Sequence, residues 1–399
     1  MTPDKFSQKY KVAVLLVTSH ASDRGMIRGI LKYVRSHTPW ELFLFPSGLR
    51  DLYVPNMKQW EGTGIIGNVR THKLFTDVVQ CKCPAVIVNP TDRVLKQSQK
   101  LHPFCSMTCD SEKIGKMAAN FFLEKKFEHF AFVGENSNIN WSRDRSQFYI
   151  ERLKSFNKQC HVYSPRTTLH NWGVEYKEME KWLKKLPKPI GIFVAMDARG
   201  RQVLEACRNA GILVPYQVAV LGVDDDELIC ESASPPMSSI LMDTEEAGYR
   251  SAELLDLLMR REIPPQNHLT YSPLKVVPRR TTEIIHIDDK LVVKTLDLIN
   301  TYSGFAIRIS DIVHQMKVSR RYLELRFKEK LGYTIHEEII RARLEKIQSL
   351  LSETTLPYRE IAIMAGFDSF GHFCRIFKER IGMTLKEFRE QSKNNVDKD

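Results

Sequence analysis

Apolar and polar positions are arranged in two different ways along this chain of 399 residues. Up to about residue 274, short continuous apolar runs alternate with stretches of helical period. The runs are KVAVLLVT (11–18), ELFLFP (41–46), GIIGNV (64–69), AVIVNP (85–90), HFAFVG (129–134), GIFVAM (191–196) and VAVLGVDD (218–225). Between them lie amphipathic segments such as 23–37, 111–126 and 198–211. Strands apolar at successive positions are buried on both faces. Alternating with helices, they predict a parallel sheet covered on each side. About ten strands exceed one comfortable sheet, so two lobes are expected. Ligands of such sheets collect beyond the C-terminal ends of the strands.

The pattern then changes. Residues 274–290 are polar, contain Pro278 and lack a helical period, which places a linker there. From Leu291 to Gln391 every periodic stretch is helical: 291–302, 308–317, 320–332, 335–353, 357–366, 370–382 and 384–391. Pro357 suits the first turn of its helix and Gly366 suits a stop. The domains are therefore expected at 10–275 and 289–391, with the linker at 276–288.

The helical region repeats itself. FKEKLG (327–332) returns as FKERIG (377–382), and Leu323, Phe327, Leu331, Gly332 and Thr334 pair with Phe373, Phe377, Ile381, Gly382 and Thr384. Each unit reads as a short helix, a tight turn and a second helix opened by a capping Ser, at 319 and 369. Ile309, Ile312, Val313 and Met316 form the inward face of one short helix; Ile361, Ala362 and Ala365 form that of the other. These are two helix-turn-helix units joined by a long helix around 337–352, roughly 25 Å long.

Charge sharpens this picture only locally. The chain carries a net charge of +11, which suits a polyanionic partner. Residues 289–399 hold 20 Lys and Arg against 16 Asp and Glu, so most of the excess lies elsewhere. The basic signal belongs to the second helix of each unit: Arg320, Arg321, Arg326, Lys328 and Lys330 in one, Arg375, Lys378 and Arg380 in the other. The eight Cys have no paired metal-ligand spacing and are expected to be mostly buried thiols. GTGIIG (62–67) matches a dinucleotide fingerprint in letters only, because the apolar part is itself the strand. HEEII (336–340) lacks the second His of a zinc helix. With no phosphate loop, no nucleophile with a base and no cofactor motif, the chain is expected not to be an enzyme and to need no cofactor. The N-terminus shows no secretory pattern and no run is long enough to span a bilayer, so a cytoplasmic protein without membrane contact is expected.

At SRRYLELRFKEKLG, the joining helix and EIAIMAGFDSFGHFCRIFKERIG, the sequence resembles the AraC/XylS family of bacterial transcription regulators over 289–391. One departure is Leu385 in GMTLKEFR, where that family carries Pro. The resemblance implies two recognition helices in successive major grooves, about 34 Å apart. Arg320, Arg321 and Glu324 in the first, and Phe370, Gly371, His372 and Arg375 in the second, are then the base-reaching positions. Arg forks onto guanine, Glu accepts from cytosine, and an aromatic edge meets a thymine methyl. Glu324 alternatively orients a neighbouring Arg. Lys328 and Lys378 are either phosphate contacts or solvated side chains.

The first domain resembles the sugar-binding domains of LacI/GalR repressors and periplasmic ribose- and galactose-binding proteins, without the N-terminal helix-turn-helix of the former. YKVAVLLV…SDRGMIRGILKYV, INWSRDRSQFYIERL, AMDARGRQVLEAC and VLGVDDDELICESASPPMSSI carry it. The expected architecture is thus a two-lobed α/β periplasmic-binding-protein-like domain followed by an all-α domain with two helix-turn-helix motifs. The resemblance implies sugar contacts at Arg145, Asp197 and Asp224, each just after a strand. Trp141 is either a sugar-stacking ring or a hinge or core residue, and Asp23 either a contact or a helix cap. Met196 stands where the family often has Asn. Asp225 and Asp226 read as turn or cap residues rather than metal ligands, and Asp110 as the cap of helix 111–126. The combination implies a sugar-responsive regulator, an activator acting as a homodimer on double-stranded operator DNA with RNA polymerase. D-xylose is the foremost effector, with arabinose or ribose as other aldoses. The competing classes are a solute-binding protein with a helical tail and a doubly wound enzyme.

Overall fold

The computed structural model describes residues 10–37, 39–44, 57, 60–69, 72–97, 103–135, 139–163, 172–283, 289–302 and 307–396. The chain divides into two compact units, Met1–Ile284 and Ile285–Asp399.

The first unit holds two six-stranded sheets. One contains β1 (Tyr10–Leu15), β2 (Trp40–Leu44), β3 (Gly64–Gly67), β4 (Ala85–Val88), β5 (Phe104–Cys109) and β11 (His268–Tyr271), in the order β11-β5-β4-β3-β1-β2. The other contains β6 (His129–Val133), β7 (Cys160–Tyr163), β8 (Ile190–Val194), β9 (Val218–Val223), β10 (Ser238–Met242) and β12 (Pro273–Val277), in the order β12-β10-β9-β8-β6-β7. All pairings are parallel except β10 with β12. The seven apolar runs read from sequence are all strands. Each central one, β3, β4, β8 and β9, is buried at every position, as helices on both faces require.

Helices α1 (Ala21–Ser36), α2 (His72–Gln80), α3 (Asp92–Gln97) and α9 (Thr244–Met259) belong to the first lobe. Helices α4 (Ser111–Glu124), α5 (Asn140–Lys154), α6 (Trp172–Lys185), α7 (Asp197–Ala210) and α8 (Glu227–Ser232) belong to the second. Asp110 caps α4 by accepting from the Lys113 amide at 2.9 Å, as expected. Helices α1 and α9 pack so closely that a Cβ on Gly29 would stand 1.9 Å from the Glu245 carbonyl oxygen. The chain crosses between lobes after β5, after β10 and after β11. The crossings bond to one another: the Asp110 amide donates to the Tyr271 carbonyl at 2.8 Å, and the Asp243 amide to that of Ser272 at 3.1 Å.

One expectation is corrected. The segment read as linker begins inside β12 (Pro273–Val277), and a short 3-10 turn, Arg280–Thr282, follows that strand. Thr281 is buried, its hydroxyl donating to the Val220 carbonyl at 2.7 Å. The expected boundary at 275/276 therefore falls inside a sheet strand, masked in the sequence by its exposed edge position. Residues 284–288 lie outside the described residues.

The second unit is helical: α10 (Lys290–Thr301), α11 (Ile309–Met316), α12 (Arg320–Leu331), α13 (Ile335–Glu353), α14 (Tyr358–Met364), α15 (Phe370–Ile381) and α16 (Leu385–Val396). The repeat is one of caps and core. Ser319 and Ser369 cap α12 and α15, accepting from the amides of Tyr322 and His372. Gly332 and Gly382 end those helices at φ 80°, the left-handed region that favours glycine. Leu323, Phe327, Phe373 and Phe377 are fully buried. Thr334 and Glu337 exchange hydrogen bonds at the start of α13, and Thr384 and Glu387 do the same at α16. Leu385, standing in place of the family Pro, is buried at the first position of α16, as Ile335 is at that of α13. A capping box and a buried side chain thus start this helix without a preset proline.

Among the described residues, no helix is long and apolar enough to cross a membrane. Thr384→Ala is expected to lower stability by about 1 kcal/mol in urea unfolding. Gly382→Ala should cost about 1 kcal/mol through its left-handed backbone. The backbone and hydroxyl of Thr334 and of Thr384 hold Glu337 and Glu387 below the ordinary value of 4.5. A depressed carboxylate stabilises fully above its unfolded value and loses that contribution as pH falls through the folded one. Urea midpoints of the helical unit, compared between about pH 5.5 and pH 3, should therefore fall less in a Glu337→Gln/Glu387→Gln variant than in the parent.

Candidate ligand cleft and DNA-reading helices

In the first unit, polar side chains gather at the C-terminal ends of strands from both lobes. The first lobe contributes Asn89 after β4, Cys109 closing β5 and Tyr271 closing β11. The Asn89 side-chain amide donates to the Tyr271 hydroxyl at 3.1 Å and its carbonyl accepts from the Cys109 amide at 2.9 Å. The second lobe contributes Trp141 and Arg145 from α5, Asp197 at the start of α7, and Asp224 after β9.

Arg145 is the centre of this group. Its side chain is buried, donates to the Ala195 carbonyl at 2.5 Å and leaves its Nε without a partner. Burial works against its charge, and Cys109, Asp224 and Tyr271 more than offset this, so its pKa is raised. The Trp141 ring lies under the guanidinium, 4.8 Å from its carbon, and packs against the apolar core. Burial, then Cys109, raises the Tyr271 phenol well above its ordinary value.

Asp197, expected as a sugar contact, is bonded within its own lobe. One oxygen accepts from the Ser239 hydroxyl at 2.6 Å and the other from the Asp226 amide at 2.8 Å. Both are thus engaged within the second lobe. Burial, then the neighbouring Asp224, pushes its carboxyl well above 3.8. Asp224 and Asp225 turn the chain in the left-handed region, at φ 104° and 49°. Asp226 precedes α8, and among the described residues no group of His, Cys, Asp and Glu is placed to hold a metal. Asp23 sits in the first turn of α1 and accepts from the Val17 amide at 2.8 Å, closing the β1–α1 loop.

Polar side chains bridge the lobes at Asp226 and at Asp92. The Asp226 carboxylate receives the Ala21 amide at 3.1 Å and the Arg24 guanidinium at 3.3 Å. Asp92 receives the Asn140 side chain at 2.7 Å and Arg143 at 2.9 Å. Cys109 and Tyr271 escaped the sequence reading because β5 and β11 did; Asn89 escaped although it lies in AVIVNP, a run that was read. For Cys109 a signal existed: FCSMTC stands directly before the capped α4, the same strand–turn–helix order as at the other runs.

In the second unit, the outward positions of α12 and α15 are exposed as expected. Arg320 donates to Glu324 at 2.9 Å, the contact that the arginine-orienting alternative calls for. Arg321 and Lys328 are exposed on α12, as are Phe370, Gly371, His372, Arg375 and Lys378 on α15. A Cβ on Gly371 would meet nothing nearer than the Ser369 hydroxyl at 4.0 Å. Arg359 of α14 lies over the Phe370 ring, and Arg375 faces Glu379 at 4.0 Å. Arg326, counted among the basic residues, bonds instead to Asp289 at 2.6 Å. Burial alone would raise Asp289, but Arg326 and the Leu291 and Val292 amides hold it below its ordinary value. Two residues of α12 were missed, Tyr322 and Leu325, 47% and 61% exposed. The repeat itself carried the signal: fifty residues on, they correspond to His372 and Arg375.

Comparison with known proteins agrees with this division. A family model for a periplasmic binding protein-like domain matches residues 119–282, and one for a helix-turn-helix domain matches 312–391. The chain is 28% identical to the xylose operon regulatory protein of Escherichia coli K12 over 389 residues, 96% of this chain and 98% of that one. It is 28% identical to that of Haemophilus influenzae over 386 residues, with the same coverage. A solved structure described as xylose-binding transcription activator xylR superposes with a TM-score of 0.83 at 28% identity, covering 96% of this chain and 99% of that one.

If the two bridges hold the lobes together, Asp92→Asn with Asp226→Asn should open them. A larger radius of gyration in X-ray scattering is the expected outcome, and an unchanged radius would assign closure to the crossings alone.

Proposed function

From its likeness to the xylose operon regulatory proteins along nearly the whole chain, we propose that this protein is a sugar-responsive, DNA-binding transcription regulator with D-xylose as its effector. That likeness is the observation that carries the reading. The relatives are regulators rather than enzymes, and a helix-turn-helix domain follows a binding-protein-like domain here as a regulator needs.

Sugar recognition needs forked donors and acceptors beside adjacent hydroxyls, with an apolar ring against the C–H face. Arg145 supports this role through its buried, unpartnered Nε, because a buried donor left without a partner is costly and an incoming hydroxyl relieves it. Asp224 supplies the acceptor, with Asn89 and Tyr271 facing it from the other lobe and Trp141 buttressing Arg145. Asp197 and Asp23 contribute by shaping the loops on which these groups stand. Sugar favours the closed arrangement by bonding to both lobes at once, since only a differential affinity shifts an equilibrium.

On DNA, Arg321 and Arg375 read base edges, with Phe370, Gly371 and His372 beside the latter. Lys328 and Lys378 meet phosphates, while Arg320 and Glu324 act as a pair. The name of the activator relative supports an activating role in contact with RNA polymerase. A cytoplasmic homodimer completes the proposal, and sedimentation of the full chain tests its assembly.

Calorimetry with D-xylose, L-arabinose and D-ribose should show D-xylose bound most tightly. Arg145→Lys should weaken it by at least about tenfold, the value of one lost charged hydrogen bond. If no pentose binds, the effector assignment falls while the regulator reading stands. In gel shifts, Arg321→Ala and Arg375→Ala should each cost about 1–3 kcal/mol on the preferred sequence. Lys378→Ala should weaken all sequences alike and reduce the salt slope by about one. Unchanged binding in both arginine variants would overturn the assignment of α12 and α15 as reading helices.

A further inference from the structure

The segment that leads out of the first unit is bonded to the loop that borders the cleft. Asp225 follows Asp224 directly, and its carboxylate receives Nη1 of Arg279 at 2.7 Å. The same guanidinium donates through Nε to Glu231 of α8 at 2.5 Å and through Nη1 to the Met237 carbonyl at 3.2 Å. Around it, the backbone of the exit segment is tied to the start of β10. The Arg279 amide donates to the Ser238 hydroxyl at 2.7 Å, and that hydroxyl meets Thr282 at 2.7 Å. The Ser238 amide donates to the Thr281 hydroxyl at 2.9 Å.

These bonds join two ends of a short path. At one end is Asp224, beside Arg145. At the other is the polypeptide just before the helical unit begins. Between them lies one side chain, Arg279, only 14% exposed and paired with an Asp225 side chain only 15% exposed. A mostly buried ion pair is a poor source of net stability, because desolvation offsets much of the attraction, so its value lies in specifying one arrangement over another. The left-handed turn at Asp224 and Asp225 makes the coupling stiff, since neither residue moves without reorienting the next. The Thr281 and Thr282 bonds hold the exit segment to the sheet, while the Arg279 side chain reaches the turn.

We propose that Arg279 is the positioning residue that transmits occupancy of the cleft to the DNA-binding unit, through its ion pair with Asp225. The proposal rests on the sugar-responsive reading above. Arg279 touches neither sugar nor DNA in this scheme. Its loss separates two properties that a merely structural role would move together.

The test uses the full chain, with D-xylose as the ligand and an operator fragment selected by the parent protein. For the parent, calorimetry gives the D-xylose Kd, and fluorescence anisotropy gives the ratio of DNA affinities with and without D-xylose. Couplings of this kind are about 5- to 150-fold. In Arg279→Ala the sugar Kd should stay within about threefold of the parent, while the DNA ratio falls below about twofold. Asp225→Asn should do the same; Asn tolerates the left-handed backbone and leaves Arg279 its Glu231 partner. Arg279→Lys should restore part of the ratio. A parental ratio in both Arg279→Ala and Asp225→Asn overturns the proposal. Loss of sugar binding together with the ratio also overturns it, by showing that the pair merely supports the cleft. If the parent itself neither binds D-xylose nor changes its DNA affinity, the regulator's effector assignment fails first, and the coupling role fails with it.

Discussion

The buried carboxylate of Asp197 organises the working end of the second lobe. From the first turn of α7 it reaches two other elements, β10 through the Ser239 hydroxyl and the loop after β9 through the Asp226 amide. Ser239 passes the constraint on, accepting from the Asp225 amide at 3.1 Å. The strand below leaves no slack, since a Cβ on Gly222 would lie 2.1 Å from the Asp197 carboxylate. Burial disfavours the charge of this carboxyl, and its hydrogen bonds counter that cost only in the arrangement seen. Asp225 is thereby held on Arg279 and Asp226 on the other lobe, while Asp224 contributes negative charge near Arg145. Three successive acidic residues acquire three different tasks from one buried group.

The helical unit is built on the opposite principle. A duplicated set of caps and apolar anchors recurs along it. Ser, Gly and Thr recur at the same offsets because each satisfies a geometric need of a helix end. Leu385 shows how much freedom remains within that scheme. The Thr384–Glu387 exchange supplies the missing amide partners, and the leucine side chain adds burial that a proline ring at this position would supply less of.

The parts legible in the sequence were those governed by local rules or by deep burial. Central strands such as β8 and β9 are apolar at every position and announce themselves. Of the four edge strands only β2 was read: β7 exposes His161 and Val162, and β12 exposes Leu274 and Lys275, so their letters look like loop. The same blindness propagated to the cleft. Arg145 and Asp224 stand after strands that were read. Tyr271 stands on β11, whose four residues carry no clear period, and only its parallel pairing with β5 makes it a strand. Asp197 was found but its internal bonds were not, because the Asp226 and Ser239 partners come from elements 29 and 42 residues away. Arg326 illustrates the same limit on the DNA side: its charge was visible, its pairing with Asp289 was not.

Conserving a scaffold while changing its outward residues has a consequence for recognition. Positions fifty apart carry Arg321 and Gly371, Tyr322 and His372, Leu325 and Arg375. An exposed leucine offers no hydrogen bond and matches a thymine methyl, whereas the corresponding arginine forks onto guanine. On the proposed reading, Gly371 lets the backbone of α15 approach its groove more nearly than the Arg321 side chain allows for α12. Two helices with the same caps therefore present chemically different faces. On the proposed reading, a single chain meets two dissimilar half-sites in a fixed order, and the order gives its site a direction. Directionality of this kind is intrinsic to one protomer and requires no second copy, which is what a regulator placed to one side of a promoter needs.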